Sequence, residues 1–433
     1  MGQLDSGNAA WILTSASLVF LMTPGVAFFY GGMVRAKAVL NMMIMEAAAL
    51  SVTMIMWVLW GWSIAYAGTS VGGIFGDPAT GFLLKDTMVS DKGVFTSAAL
   101  NGNNYPVSVD VAFQSAFAMI TVALICGAIA ERVKYSTWMI FVALWITFDY
   151  APLAHMVWNG GLLSADGAIS QAIGAAAHDF AGGTVVHINA AVAALVIVLI
   201  IGKRKGFGTQ PFRPHNVPFV MLGAFLLWFG WFGFNAGSAL EANGTAALAF
   251  ANTWIAPAAA ALSWTFAEWA MKGRPSLLGA VSGAVAGLVA ITPAAGFVGV
   301  GGALIIGLLS GVAGLWGVHG LKRLLGADDS LDVFGLHGVC GILGAVLTGV
   351  FASPDLGGTG VWDYVTNQVA EGYSILTQVK IQVIGVLVTV AWTALVSAVA
   401  YKLVDLLIGL RVKEDAEREG LDVTSHGEKA YSL

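Results

Sequence analysis

Charged residues are scarce in this chain of 433 residues, of which only 10% are charged and 58% are hydrophobic. Soluble domains usually carry about 25% charged residues, so this chain has too few charges to cover a surface that faces water. Its mean hydropathy of +0.80 indicates that a lipid bilayer is the solvent for many of its side chains. The net charge of -5 gives no reason to expect a nucleic-acid partner.

Cysteine is also rare, and a basic N-terminal segment is missing. Cys126 and Cys340 both lie in apolar runs, so we interpret them as small buried side chains and not as a disulfide framework. No basic residue precedes the first apolar run, so we do not expect a cleaved signal peptide and interpret that run as a true membrane span. Glycine is abundant, with 55 residues, as is typical of closely packed membrane helices.

Eleven apolar runs are long enough to predict membrane spans, each of which needs about 20 mostly apolar residues. The sequence therefore predicts an all-α integral membrane protein. The runs cover residues 9–31, 41–67, 109–130, 137–158, 181–201, 218–240, 246–270, 277–294, 298–320, 333–353 and 380–408. We expect a membrane domain over residues 1–408 and a charged tail over residues 409–433. The tail is either a solvated extension or a docking and regulatory element.

The basic residues alternate between successive loops. Seventeen of the 20 lysines and arginines end or follow odd-numbered spans: Arg35, Lys37, Arg132, Lys134, Lys203, Arg204, Lys205, Arg213, Lys272, Arg274, Lys322, Arg323, Lys402, Arg411, Lys413, Arg418 and Lys429. Because basic loops stay on the cytoplasmic side, we expect the N-terminus outside and the tail inside the cell (inner) membrane. The exceptions are Lys85 and Lys92, in a long outer loop over residues 68–108, and Lys380.

Two histidines lie within apolar spans, where ionisable side chains are costly and are functional candidates by default. His187 is on the fifth span and His337 on the tenth, and an aspartate precedes each, Asp179 and Asp332 respectively. Matching positions suggest two halves of five spans, with span 11 apart. Because five is odd, the second half would insert upside down. Inverted repeats commonly place a transport site at their shared midplane, so we interpret the histidines as a paired site.

Other interpretations of the buried polar residues remain open at this point. Each histidine could simply bond to a neighbouring helix. A closed zinc site needs four ligands, and a membrane cytochrome with two haems would need a second histidine pair. We therefore expect no metal and no cofactor. Glu46 and Asp149 are isolated carboxylates at membrane depth to which the sequence assigns no role.

Most of the 15 tryptophans are expected to anchor the membrane interface, but two segments with aromatic residues look different. Span 6 contains the run from Trp228 to Ser238, span 3 contains Phe113 and Phe117, and Trp158 closes span 4. A cation held against aromatic faces, with one hydroxyl as acceptor, would form a mouth site. Composition alone favours ordinary packing and anchoring at the membrane interface.

In their order along the chain, these residues resemble the Amt/Mep/Rh ammonium transporter family, from Gly25 to about Gly420. The matching segments begin with Phe28-Phe-Tyr-Gly-Gly32 and Ala154-His-Met-Val-Trp158, continue with Asp179-Phe-Ala-Gly-Gly-Thr-Val-Val-His187 and Trp231-Phe-Gly-Phe-Asn-Ala-Gly-Ser238, and end with Asp332-Val-Phe-Gly-Leu-His-Gly-Val-Cys-Gly341. The presence of both Trp158 and Ser238 is similar to the bacterial and archaeal Amt branch and not to the Rh branch.

The resemblance implies a role for each matching residue. The implied roles are an outer ammonium site at Phe117, Trp158 and Ser238, a gate of Phe117 and Phe234, a twin-histidine pair of His187 and His337, a structural and electrostatic Asp179, and pore lining by Trp231, Tyr30, Ser282 and Asp329. It also implies a homotrimer with one pore in each subunit, and methylammonium as a substrate analogue. A PII-type signalling protein would block the cytoplasmic face, at the tail and the inner loops.

Desolvation explains why an apolar route suits this cargo. A bare cation in an apolar pore costs, formally, tens of kcal/mol, and neutral ammonia costs far less. The resemblance therefore implies ammonium transport, without enzymatic chemistry, in which the histidine pair handles the proton. The alternatives are an ammonium sensor that signals through its tail, a haem-dependent redox enzyme, and a transporter of larger solutes. A tail of about 25 residues is short for a signalling domain, and the bulky aromatics disfavour a large solute.

Overall fold

The computed structural model describes residues 3–431 apart from 86, 88, 92, 93, 97, 98, 361, 364–367, 370 and 371. Within these residues, ten helices are long and apolar enough to cross a membrane, and an eleventh apolar helix has 15 residues. In chain order, α1 to α11 are Ser6–Met33, Val39–Gly61, Val107–Ile129, Tyr135–Trp158, Gly183–Ile201, Val217–Gly237, Gly244–Lys272, Leu277–Ile291, Val300–Leu325, Phe334–Phe351 and Ile375–Ile408. The predicted all-α membrane fold with about eleven spans is confirmed.

One difference from the predicted bounds is at the start of α11. The helix begins at Ile375 and has 34 residues, five residues earlier at its start than the predicted run over 380–408. Lys380 interrupts the apolar pattern, but the backbone is already helical before it because the Ser374 side chain accepts from the N–H of Thr377 at 3.2 Å and caps the first turn. An apolar run therefore marks the lipid-facing part of this helix and not its start.

The two predicted halves meet through equivalent helices. Among the described residues, the most extensive helix–helix contact joins α1 and α6, the first helix of each half. The fifth helix of each half also meets its counterpart, since α5 and α10 touch through their first turns. These first turns are π-helical, over Gly183–Ile188 and Phe334–Gly338, a rare conformation that is frequent at functional sites. We call them the first and second histidine segments, because they contain His187 and His337.

A belt of apolar side chains faces outward. Leu376 and Leu406, near the two ends of α11, are 80% and 84% exposed. Soluble monomers rarely expose large contiguous apolar surface, whereas lipid is a good solvent for it. The belt and the apolar helices fit a multi-pass membrane protein.

Within the described residues, the loops contain short strands and short helical segments. Three antiparallel hairpins pair Ser70–Val71 with Phe75–Gly76, Val89–Asp91 with Val94–Thr96, and Trp362–Asp363 with Gln368–Val369, and short helical segments cover Phe82–Leu84, Ala168–Ile173 and Pro354–Leu356. The first two hairpins belong to the predicted long loop over residues 68–108. Lys92, one of the exceptions to the charge pattern, lies outside the described residues.

The loops after α1, α3, α5 and α9 meet at one end of the molecule, which we call the basic face. Glu131 pairs with Arg35 at 2.8 Å and with Arg204 at 3.5 Å, while Asp328 pairs with Arg204 at 2.8 Å. The side chain of Arg132 is fully buried and bonds to the Asp328 carbonyl at 2.7 Å. Each buried charge has an opposite charge or a carbonyl beside it, which buried ions require. The alternating basic residues of the sequence thus gather at one end.

The tail lies against this basic face. It forms two short helices, α12 over Glu414–Glu419 and α13 over Leu421–His426. The N–H of Val412 donates to the Arg132 carbonyl at 3.1 Å, and the buried Asp422 accepts from the N–H of Asn41 at 2.8 Å. These contacts hold part of the tail against the membrane domain.

Candidate functional site

The two predicted histidines meet at the centre of the helix bundle. Nδ1 of His337 lies 3.3 Å from Nδ1 of His187, and the rings are nearly parallel with centroids 5.3 Å apart. Both side chains are buried, at 1% and 3% exposure. Residues 150 positions apart in sequence therefore form one hydrogen-bonded pair, and they reach each other because α5 and α10 touch through the two histidine segments.

The bond between the two rings determines which of their other nitrogen atoms is a donor and which is an acceptor. In a bond between two Nδ1 atoms, one ring donates and the other accepts, so neutral rings must be opposite tautomers. The donor ring then keeps a lone pair on Nε2, and the acceptor ring carries a hydrogen there. Nε2 of His187 is buried and has no hydrogen-bond partner among the described residues. The pair can thus accept a proton at one end and release one at the other.

Asp179 holds the first histidine segment in place. Its carboxylate accepts backbone N–H bonds from Gly182 and Val185, both at 3.1 Å, and from Gly183. Thr184 donates to the same carboxylate through both its N–H, at 3.0 Å, and its hydroxyl, at 2.5 Å. These are free donors at a helix start, where a carboxylate is favoured. The carboxylate therefore fixes the turn that carries His187, which fits the structural role that the resemblance implies.

Asp329 performs the same task on the second histidine segment. It lies eight residues before His337, as Asp179 lies eight before His187, and it accepts from the N–H groups of Val333 at 3.0 Å and Phe334 at 2.7 Å. Burial raises the pKa of its carboxyl to about 6. The sequence pattern paired His337 with Asp332, which instead forms a salt bridge with Lys322 at 2.6 Å. The counterpart of Asp179 is therefore Asp329, which an unusual loop before the helix hides from periodicity.

Two stacked phenyl rings lie above the histidines, away from the basic face. The rings of Phe117 and Phe234 are 4.1 Å apart between centroids and only 11° from parallel. Both are buried, and the Phe234 ring is 6.0 Å from the ring of His187. The predicted gate residues are thus in contact with each other and next to the histidine pair.

The three predicted mouth residues surround the far side of this stack. The Trp158 ring stands edge-on to Phe117 at 6.3 Å, and its indole N–H donates to the Asp179 carbonyl at 2.8 Å. Ser238 lies one turn after Phe234, and its hydroxyl donates to the Phe234 carbonyl at 2.8 Å. That bond uses the serine proton, which leaves the oxygen as an acceptor. Two aromatic faces and one hydroxyl oxygen are therefore gathered at this end.

Trp231 links the gate to the histidines. Its ring lies 5.4 Å from that of His187, at 24° to it. The indole N–H donates to the hydroxyl oxygen of Thr292 at 2.9 Å, and the Thr292 hydroxyl in turn bonds to the Leu288 carbonyl at 2.7 Å. Thr292 belongs to the Gly/Pro turn that ends α8. Sequence reasoning missed its contribution, since a threonine in a turn carries no signal of what it binds.

Two cavities continue the route from the histidines to the basic face. The first measures about 10 Å³, near the least volume that holds one water molecule, and its walls are Met22, Val26, Phe29, Tyr30, Ile120, Leu124, His187, Leu227, Trp231, Val285 and His337. The second measures about 150 Å³ and includes Phe29, Ser282, His319 and Asp332. Phe29 lies on both. Tyr30 therefore lines the narrow part and Ser282 the wide part, whereas Asp329 lines neither.

Most of the narrow walls were not predicted. Leucine, isoleucine, valine and methionine on a span look the same in sequence whether they face lipid or a pore, so no signal was available.

The two unexplained carboxylates lie elsewhere: Glu46 contacts the Cys126 sulfur at 2.7 Å, and Asp149 lies beside Asn189. No cluster of three or more His, Cys, Asp or Glu side chains that could hold a metal ion occurs in the described part of the chain.

Comparisons with known proteins give one consistent family. The sequence model of the Ammonium Transporter Family matches residues 10–431. An "Ammonium transporter" of Aquifex aeolicus is 48% identical over 432 residues, which cover 100% of this chain and 95% of the relative. "Ammonium transporter Amt1" of Archaeoglobus fulgidus is 41% identical, with 99% of this chain and 100% of the relative covered.

Solved structures give the same result. The crystal structure of Saccharomyces cerevisiae Mep2 is similar with a TM-score of 0.81 and 31% identity, covering 100% of this chain and 94% of that chain. A structure titled "Sensor Amt Protein" gives a TM-score of 0.85 and 27% identity, with 97% and 98% covered. Both the sequence and the arrangement of its helices therefore place this chain among the same proteins.

Proposed function

Because this chain belongs to the ammonium transporter family, its function is ammonium transport, and we propose that it binds the ammonium cation but passes neutral ammonia through its pore. The family is one of transporters and not of enzymes. The observation that carries the mechanism is the buried pair of His187 and His337, joined Nδ1 to Nδ1 at 3.3 Å directly beneath the stacked rings of Phe117 and Phe234.

Recruitment occurs at the mouth formed by Phe117, Trp158 and Ser238. The hydroxyl oxygen of Ser238 accepts a hydrogen bond from the cation, and the aromatic faces attract it by about 1–2 kcal/mol once water is displaced. Potassium can be attracted in the same way. However, it has no proton to donate or to lose, so the next step is closed to it.

Deprotonation occurs at the gate. Beyond Phe117 and Phe234 the walls are apolar, and the cavity under the histidines is about 10 Å³. An unpaired cation there pays a desolvation cost of, formally, tens of kcal/mol, whereas ammonia, as a neutral molecule, does not. The rings therefore separate a hydrated cation from a route that only the small neutral molecule can follow.

The proton follows a separate route through the histidine pair. It binds the free Nε2 lone pair of the donor ring, the Nδ1 hydrogen of that ring moves to the Nδ1 of its partner, and the partner releases its Nε2 hydrogen. Bonds made and broken are equal in number, and the pair stays neutral overall. The result is net charge movement with ammonia, followed by reprotonation in the wide cavity beside Ser282.

We further propose the setting in which this occurs. The basic face is cytoplasmic and the N-terminus is outside, in a cell membrane, because basic loops are retained inside. The membrane domain covers residues 1–408 and the tail 409–433. The assembly is a homotrimer with one pore in each subunit, and a PII-type protein binds the basic face. Cross-linking in membranes and protease access from either side test these assignments.

An ammonium pulse on liposomes tests the proposed mechanism. The purified protein is reconstituted on a solid-supported membrane, and the transient current is recorded together with internal pH. We expect a current. Rapid internal alkalinisation without current would replace the proton relay by conduction of ammonia alone, and absence of both signals would reject transport.

Histidine variants test the pair itself. His187→Ala and His337→Ala should each lower the current at least tenfold or let potassium carry current, because either change leaves one ring without its Nδ1 partner. His215→Ala is the matched control, since His215 lies at the basic face and bonds to the Val34 carbonyl at 2.9 Å. Unchanged current and unchanged selectivity in both pore variants would remove the histidine relay.

The second candidate function is an ammonium sensor that signals through its tail and conducts little. It is favoured by the similarity to a structure titled "Sensor Amt Protein" and by the tail that lies on the basic face. Tight ammonium binding without measurable flux in liposomes would support the sensor over the transporter.

A further inference from the structure

A polar cavity of about 450 Å³ opens on the basic face, separate from the transport route. It lies between the loop after α1, the loop after α5 and the helix α12. Its lining residues are Arg35, Lys37, Lys205, Gly206, Thr209, Gln210, Glu417 and Arg418. Four of these eight residues are basic and one is acidic, and no residue of the histidine pair, the gate or the mouth is among them.

The ion pairs around this cavity leave positive charge in excess. Six basic side chains share only four carboxylates. The pairs are Arg35 and Arg204 with Glu131, Arg204 and Arg132 with Asp328, Lys205 and Arg418 with Glu414, and Arg411 with Glu417. Lys37 is a seventh cation, and its ammonium donates to the Arg418 carbonyl and has no carboxylate within salt-bridge distance among the described residues. Three positive charges are therefore unbalanced within this network.

The single acidic residue of the lining does not correct this excess. Glu417 is 2% exposed, its two oxygens accept from the Arg411 guanidinium at 2.8 to 3.1 Å, and one of them accepts from the N–H of Lys205 at 2.7 Å. Glu417 is thus paired with Arg411, which does not line the cavity, and does not neutralise the other basic side chains of the lining. Partial burial lowers the pKa of the Lys37 ammonium, and the neighbouring charge of Arg35 lowers it further, while Glu131 acts in the opposite direction.

We propose that this cavity is a binding site for a small anion with a phosphate group. Phosphate oxygens accept from arginine in a two-pronged geometry and from lysine as point charges, and the side-chain amide of Gln210 supplies a further donor. The volume lies within the range of about 300–1,000 Å³ for small-molecule sites, so an organic phosphate fits better than the bare ion. The site does not depend on the transport mechanism.

Glu414 does not line the cavity, but it pairs with two of the basic residues that do. Its carboxylate lies 2.9 Å from the ammonium of Lys205 and 2.7 Å from the guanidinium of Arg418, and it is 45% exposed. A phosphate competes with this carboxylate for the same two cations. Binding would therefore release Glu414, at the start of α12, and change how the tail rests on the basic face.

Calorimetric titration of the purified full chain tests the site, with inorganic phosphate and adenosine monophosphate as soluble probes and sodium chloride at equal ionic strength as control. A parallel arm uses nanodiscs that contain phosphatidylglycerol or only phosphatidylcholine. Saturable binding of a soluble probe identifies a free phosphate compound as the source. Binding that disappears only in phosphatidylglycerol nanodiscs identifies a lipid headgroup as the occupant. Absence of saturable binding to every probe overturns the proposal.

Variants that remove one charge should change the affinity in opposite directions, depending on the sign of the charge removed. Lys37→Gln and Lys205→Gln should each weaken binding at least tenfold, since each removes a charge-assisted bond. Lys402→Gln is the matched control, because Lys402 is exposed on α11 and does not line the cavity. Glu414→Gln should tighten binding about threefold to tenfold by freeing two cations, a gain that misfolding does not produce. Equal binding in Lys37→Gln and wild type, or weaker binding in Glu414→Gln, would contradict the site.

Discussion

The two histidine segments have the same local structure but lie in different surroundings. Asp179 holds the first by accepting five hydrogen bonds, beneath aromatic rings and away from charge. Asp329 holds the second through two backbone bonds, and Lys322 pairs with Asp332 three residues farther along the chain. In both segments, a carboxylate eight residues before a buried histidine accepts hydrogen bonds from the start of the helix. One carboxylate lies in the dry half of the molecule and the other in the charged half.

From this difference we infer that the two histidines have different roles. The first segment has more bonds to break before it can move, so His187 is the fixed partner of the pair. The second segment begins next to charged groups and the wide cavity, so His337 is the partner whose surroundings respond to pH and to the basic face. The following experiments test that difference in roles, beginning with the largest expected effect.

Removal of the two carboxylates compares the segments directly. Asp179→Ala leaves up to four backbone N–H groups and one hydroxyl without an acceptor and should destabilise the protein by about 4 kcal/mol, whereas Asp329→Ala should cost about 2 kcal/mol. Apparent unfolding midpoints in detergent measure both. Asp355→Ala, at an exposed turn, is the control and should not shift the midpoint. Equal losses at positions 179 and 329 would end the distinction between a strongly and a weakly held segment.

The sequence predicted this region in part. The spans, the two buried histidines and Asp179 were visible because apolar runs in a bilayer are long and an ionisable residue within them is conspicuous. Asp329 was visible only through the family resemblance, because the pattern of the sequence paired His337 with the nearer Asp332. The apolar walls at Met22, Leu227 and Val285 gave no signal, because a pore and a lipid tail select the same side chains.

Packing contacts were the least predictable part. Which span touches which depends on where small residues allow close approach, and a composition rich in glycine permits many arrangements. The π-helical turns at the two histidine segments were also not foreseen, because no sequence pattern marks a π-helical turn. The sequence therefore predicted the residues of the pair, and only the structure gave the bond that joins them.

A pH titration of stability separates the charged half from the dry half. The pKa of Asp329 is about 6 in the folded protein, against about 3.9 when unfolded. Its contribution is thus present below pH 4 and is lost as pH rises through 6, by up to about 3 kcal/mol. Asp329→Asn should lack this dependence between pH 4 and 7. Parallel pH curves of unfolding midpoint for the variant and wild type would show that Asp329 does not titrate in this range.

Glycine substitutions test how tightly each segment is packed. A Cβ at Gly183 would lie 2.5 Å from the Pro293 ring, and one at Gly335 would lie 2.8 Å from backbone atoms of Gly317. Gly183→Ala and Gly335→Ala should each cost about 2 kcal/mol through overpacking. Gly301→Ala is the control, because nothing lies within 4 Å of its added Cβ. If only one segment variant shifts the unfolding midpoint, the packing of the two segments is not equivalent.

The smallest expected effect concerns Trp231, which stacks on His187. Thr292→Val keeps the side-chain shape but removes the acceptor of the indole N–H, so the ring beside His187 is less well positioned. Loss of one such bond is worth about 1 kcal/mol, which should lower the ammonium current about fivefold. Thr348→Val is the matched control, since the buried Thr348 hydroxyl bonds only within its own helix, to the Gly344 carbonyl at 2.8 Å. A current lowered equally in both variants would mean that loss of a buried hydroxyl acts through general stability. The contact with Trp231 would then not distinguish the surroundings of His187 from those of His337.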